Sequence, residues 1–206
     1  MKFSEEQFLN LQKRVEDTLS EKRFLHTLGV IKAAEQIAGY CCPDSINEIR
    51  VAALLHDITK ELSFEEQLKL LELGQISLDD EDKESPAILH SYTAPVVIER
   101  DYPEFANKTV LSAVRNHTLG SPDMTVADEI IFVSDFVEES RTYEASLRLR
   151  EFLNSNLKPG KISENEKVLH SAVVFAIDST VRNLLSNKKA VNTKNILTRN
   201  ALLSKI

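Results

Sequence analysis

The chain has 206 residues, with 25 Lys and Arg against 32 Asp and Glu and a formal net charge of −7. That acidity excludes a general nucleic-acid surface while leaving room for a local basic pocket around a phosphate. The length suits one domain, or one domain with an appendage, and only five glycines with no tryptophan favour helices over tight-turned β structure.

Helical periodicity runs the length of the chain. Ser4 to Thr18 carries Phe8, Leu11, Val15 and Leu19 on one stripe. A second helix is expected over Glu21 to Ala38, broken by Gly39 and Pro43. Asp44 or Ser45 caps a third that runs through Asp57. Ser63 and Glu66 have capping-box spacing and open a short helix that stops at Gly74. The acidic stretch "QISLDDEDKESP" reads as a loop. Helices follow over 87–100, 104–116, 126–138 and 143–154. "NLKPGKISENE" reads as a linker, with Pro159-Gly160 as the best boundary, before a long helix over 165–185 and a weaker C-terminal one. The expected class is all-α. Residues 1–154 form the main domain and 155–206 a helical extension packed back on it.

Cys41 and Cys42 are adjacent and are the only cysteines, which favours a reduced, cytoplasmic setting. The charged N-terminus reads as neither signal peptide nor anchor. No stretch reaches the roughly 18 apolar residues of a spanning helix, so no membrane partner is expected.

Six side chains with metal-ligand chemistry recur in one order: His26, His56, Asp57, His90, His117 and Asp135. His56 shares the face of Ile49, Ala52 and Ala53, and His117 that of Val110, Ala113 and Val114. His26 and His90 precede similar apolar stripes, and Asp135 lies inside the apolar "EIIFVSDFVEES". Any one of them read alone is an ordinary core residue satisfied by hydrogen bonds. His170, beside Val173, Val174 and Ile177, is read that way, with no carboxylate in its surroundings to pair it. Six together would need too many independent buried partners. Mixed His and Asp ligands without cysteine suit iron, manganese or zinc, and more than four donors favour a six-coordinate or two-metal site. Two ions roughly 3.5–4 Å apart activate water near neutral pH and neutralise a phosphoryl group in flight. In such a site Asp57 is the natural bridge.

The blocks "KRFLHTLGV", "AALLHDITK", "ILHSYTAP", "VRNHTLGSPDM" and "FVSDFVEESR", in that order over Arg23 to Arg141, resemble the HD-domain phosphohydrolase superfamily. Within it they resemble the YqeK-type symmetrical bis(5′-nucleosyl)-tetraphosphatases. The resemblance implies that His26, His56, Asp57 and Asp135 hold one ion, and His90 and His117 a second with Asp57 bridging. It favours iron. Lys60 matches the lysine one turn after the doublet and would place a cation on a phosphate, making Asp57 and Lys60 the catalytic pair.

Arg23, one turn before His26, and Arg141, after Asp135, are candidate phosphate clamps. Glu138 would orient a ligand or water, and Thr118 and Gly120 would offer donors to a phosphate oxygen. Two departures from the family's pattern bear on the nucleotide pocket: Glu139 stands where a proline is common, and Pro95 should start or kink its helix. The expected activity is metal-dependent symmetrical hydrolysis of diadenosine tetraphosphate or a related dinucleoside polyphosphate. The alternatives are another HD-type nucleotide phosphohydrolase, a cyclic-dinucleotide phosphodiesterase, or a non-catalytic metal-stabilised nucleotide-binding module. A nucleotide is the expected partner, and a homodimer is compatible with the sequence.

Overall fold

Seven of the eleven α-helices among the described residues begin where an N-cap side chain accepts from a free N–H. The helix after Ser45, expected to be capped by Asp44 or Ser45, is one of the four that have no side-chain cap. In the computed structural model, which describes residues 3–206, helix α1 (Glu5–Glu16) starts from a full Ser4–Gln7 capping box. Ser20 caps α2 (Glu21–Cys41), and α3 spans Ile46–Leu55. The Ser63–Glu66 box opens α4 (Phe64–Leu73), as the spacing predicts. Then follow α5 (Asp80–Lys83), α6 (Leu89–Asp101) and α7 (Lys108–Asn116). A Thr125–Asp128 box opens α8 (Val126–Val137). The chain ends with α9 (Glu144–Asn156), α10 (Ile162–Ser186) and α11 (Thr193–Leu203). No strand occurs among the described residues.

Helix α8 is the hub. Nine of its twelve residues are buried, and it packs against α2, α3, α7, α9 and α10. Helix α3 lies between α2 and α7, so the ends of α2, α3, α6, α7 and α8 converge on one spot. One apolar core runs from Phe3 to Leu202. A smaller cluster of Leu71, Ile88, Leu89, Tyr92 and Leu119 sits beneath α6. Helix α10 has the length and hydropathy of a membrane span, but Leu169, Ala172, Val173, Ala176 and Ile177 are spent in this core.

Several boundaries differ from the sequence reading. The third helix stops at Leu55, so His56 and Asp57 lie in the turns that follow it. The helix expected from 104 begins at Lys108, where Asn107 caps it, after a 3-10 turn over Pro103–Phe105. Helix α6 continues through Pro95 rather than starting there; the proline only removes one interior N–H.

The acidic stretch is not simply a loop. Asp82 in α5 is buried and takes hydrogen bonds from Tyr92, Asn192 and Lys194. Asn192 and Lys194 lie 110 and 112 residues further along the chain, which is why local composition misses them. The expected linker shrinks to a short turn, because α10 already starts at Ile162. Buried Asn165 pins it by donating to Tyr40 O at 2.9 Å and Lys158 O at 2.8 Å.

Candidate metal centre

The doublet sits where α3 ends because the His56 ring folds back on that helix. Its Nδ1 lies 2.7 Å from Ala53 O, the carbonyl three residues before it. A carbonyl only accepts, so Nδ1 carries a proton and Nε2 is the nitrogen turned inward. Burial works against the charged ring, but Asp57 and Asp135 outweigh it and raise the His56 pKa. His117 repeats this geometry at the end of α7, with Nδ1 2.6 Å from Val114 O. The His26 ring is oriented by another route. Its Nδ1 is 3.0 Å from Glu138 Oε1, and Glu138 is itself held by Ser140 N at 2.7 Å and the Ser140 hydroxyl. A histidine whose outer nitrogen is fixed by a carbonyl or carboxylate is the usual arrangement of a metal ligand.

Asp57 lies between these rings. Its Oδ2 is 3.4 Å from His56 Nε2 and 3.8 Å from His26 Nε2. Its Oδ1 is 3.3 Å from His90 Nε2 and 3.8 Å from His117 Nε2. Asp135 closes the first side, with Oδ1 3.1 Å from His26 Nε2. Two sets of donor atoms are each mutually within 4.8 Å: His26, His56 and Asp135, and His56, Asp57 and His117. On the second side His90 Nε2 and His117 Nε2 approach to 3.0 Å, with Thr118 Oγ1 3.2 and 3.1 Å from them.

The donor set fits divalent metal. His26 Nε2 and His56 Nε2 are buried and make no hydrogen bond of acceptable geometry. Leaving two such nitrogens unanswered is expensive, and a cation is the partner their lone pairs lack. Burial holds His90 well below the usual histidine value, with His117 beside it adding to the effect. Burial also works against the charged form of Asp57, but the surrounding histidines outweigh it and keep the carboxyl well below the usual range. Asp135 is depressed in the same manner by His26 and His56. Neutral imidazoles and ionised carboxylates are the forms that ligate metal.

Cations ring the cluster. Arg23 Nη1 donates to Asp57 Oδ2 at 2.7 Å, and Arg141 Nη2 to Asp135 Oδ1 at 2.8 Å. Lys60 Nζ lies 3.2 Å from His90 Nδ1 and donates to Ala87 O at 3.2 Å, with burial lowering its pKa. Glu139 turns outward to pair with Lys32 at 2.8 Å, so its charge does not face the cluster. Gly120 is not brought to the histidines. With φ at +72°, it packs beneath Thr198 of α11, where an added Cβ would come within 2.5 Å of Thr198 Cγ2.

His170 also lies elsewhere, and the expectation that it lacks a carboxylate partner is wrong. Its Nδ1 is 2.7 Å from Glu129 Oε2, across the α8–α10 contact from 41 residues away. The sequence reading missed Ser140, which fixes Glu138. It also missed Asn195 and Thr198, whose side chains both donate to Leu119 O at 3.1 and 3.3 Å, just beyond His117 and Thr118. Nothing local to α11 signals this, because its target lies more than seventy residues earlier.

A helical core that gathers histidines and aspartates from α2, the turn after α3, α6, α7 and α8 defines a metal-centre protein of the HD type. The HD domain model matches residues 23–140, and the chain belongs to that family. Among similar proteins, the symmetrical bis(5′-nucleosyl)-tetraphosphatase of Bacillus subtilis is 27% identical over 190 residues, covering 92% of this chain and 94% of that protein. The enzyme of the same name from Halalkalibacterium halodurans is 25% identical over 189 residues, covering 92% and 93%. A protein of known structure from Clostridium acetobutylicum, described as a predicted HD superfamily hydrolase involved in NAD metabolism, shares the fold with a TM-score of 0.83. It covers the whole of both chains at 24% identity.

Proposed function

We propose that this protein is a metal-dependent hydrolase that cleaves diadenosine tetraphosphate, or a related dinucleoside polyphosphate, symmetrically into two nucleoside diphosphates. The observation that carries the reading is the placement of Asp57, whose two oxygens face different histidine pairs. In this reading His26, His56, Asp57 and Asp135 hold one ion. His90 and His117, with Asp57 shared, hold a second; iron is favoured over manganese or zinc. Bound metal supplies Lewis acidity for the phosphoryl group and activates the attacking water.

The chain's own residues do the rest. Asp57, Asp135 and Glu138 already balance Arg23, Arg141 and Lys60, so the protein alone offers a polyphosphate little net positive charge. Divalent ions would tip that balance. Lys60, poised beside His90, places its ammonium on a phosphate oxygen where charge develops. Arg23 and Arg141 stand at the half-exposed rim and can turn a guanidinium edge from carboxylate to phosphate. Thr118 offers its hydroxyl between the second pair of histidines, and Glu138 holds the His26 ring in its ligating orientation. Gly120 keeps the turn after His117 close under α11 rather than touching phosphate.

Residues 1–154 act as the HD-type unit, with its motif core over 23–141, and 155–206 as an extension packed on it. Two free cysteines and homologous relatives of bacterial origin support a cytoplasmic setting. Incubation with diadenosine tetraphosphate and manganese or ferrous ion should yield ADP alone by chromatography. ATP with AMP, or no product, overturns the reaction. Metal content per chain should be near two in wild type and fall to one or none in Asp57→Ala.

A further inference from the structure

Beside the histidine cluster, on the Lys60 and His90 side, a cavity of about 260 Å³ opens to the surface. We propose that it is a nucleoside subsite, taking the purine base and ribose from one end of the substrate with Phe64 as the stacking face. The proposal rests on the dinucleotide reading above and adds where one end binds and how its base is read.

Three features point there. First, the cavity is polarised. Its inner wall is Lys60 and His90, whose Nε2 is 3.3 Å from Asp57 Oδ1, while its outer wall is Leu62, Phe64 and Pro86. A nucleotide has the same order, phosphate to base. Second, the cavity lies just below the roughly 300 Å³ at which drug-sized pockets begin, enough for one nucleoside and not for a whole dinucleotide.

Third, Phe64 is unusually placed. It opens α4 directly after the Ser63–Glu66 capping box, which fixes the backbone beneath it, yet its side chain is 52% exposed. Among the described residues it makes no ring stacking or cation contact. A rigidly mounted, uncovered aromatic ring at the mouth of a cavity is a base platform.

The lining also says what the subsite does not do. Gln67 has already committed its amide: Nε2 donates to Thr59 O at 2.7 Å, and its oxygen accepts from Thr93. Lys60 is engaged by Ala87 O and His90. The polar side chains of the lining already hold partners within the protein, so the subsite is expected to hold adenine and guanine alike, by stacking.

The test is calorimetric titration of the manganese-loaded protein with ADP, GDP and inorganic tripolyphosphate, for wild type, Phe64→Ala and Phe64→Trp. Phe64→Ala should weaken ADP and GDP about tenfold each while tripolyphosphate binds as before, and Phe64→Trp should restore both nucleotides. In turnover the loss should fall mainly on KM. Equal weakening of ADP and tripolyphosphate, unchanged ADP binding, or more than tenfold preference of wild type for one base overturns the subsite. If wild type fails to cleave diadenosine tetraphosphate but ADP binding still depends on Phe64, the substrate reading falls and the subsite stands.

Discussion

The turn that follows His117 and Thr118 is held by an interlock between Gly120 and α11, and Gly120→Ala probes it quantitatively. Two penalties arise. The backbone sits at φ +72°, where an L side chain costs about 1–2 kcal/mol relative to glycine. The new Cβ also meets Thr198 Cγ2 at 2.5 Å, with Thr198 Oγ1 at 3.0 Å and Met124 Sδ at 3.1 Å behind it. Overpacking of that kind costs about 1–3 kcal/mol. The total is about 2–5 kcal/mol, a large share of a domain stability of about 5–15 kcal/mol.

Thr198→Ser separates the two penalties, since it deletes the methyl that clashes and keeps the hydroxyl that donates to Leu119 O. In Gly120→Ala/Thr198→Ser most of the clash disappears and the backbone penalty stays, so a double-mutant cycle should give a favourable coupling of about 1–3 kcal/mol. Urea denaturation of the four proteins measures it. Strict additivity, or a loss under about 1 kcal/mol for Gly120→Ala alone, refutes the interlock.

Three further outcomes follow from other parts of the fold. Burial pushes the Cys41 thiol up to about 12 and the Cys42 thiol to about 11, so a thiol reagent at pH 8 should label both slowly in the native protein and rapidly in urea. Fast native labelling of Cys41 contradicts its place in the core. Burial raises the Glu129 pKa above 4.5 despite the opposing His170 ring. A raised folded value means the contribution is fully present below pH 4.5 and lost as the pH climbs through that value. Glu129→Gln, which mimics the protonated acid, should therefore gain stability relative to wild type as the pH rises above 4.5; a shift the other way reverses the assignment. Asp82→Ala strands the donors of Tyr92, Asn192 and Lys194 and should cost about 2–4 kcal/mol. Hydrogen exchange should quicken most over 193–203, and uniform loss across the chain counts against a local anchor.

Helix periods, caps and the order of the six ligand-type residues are local properties, and they were legible one residue at a time. Ser63 and Glu66 lie three apart and cap the same turn whatever surrounds them. The inward stripe of His117 follows from Val110, Ala113 and Val114 alone. Tertiary structure decided what depends on partners distant in sequence. It took the assembled fold to put Asp57 between histidines from α2, α6 and α7, to turn Glu139 out to Lys32, and to pair His170 with Glu129. The acidic run around Asp82 looked like solvated loop because its charge is answered by Lys194, 112 residues later. Gly120, predicted to meet phosphate because it follows a ligand, meets Thr198 instead. Spacing along a helix sets the direction of a side chain, while only packing sets what that side chain finds there.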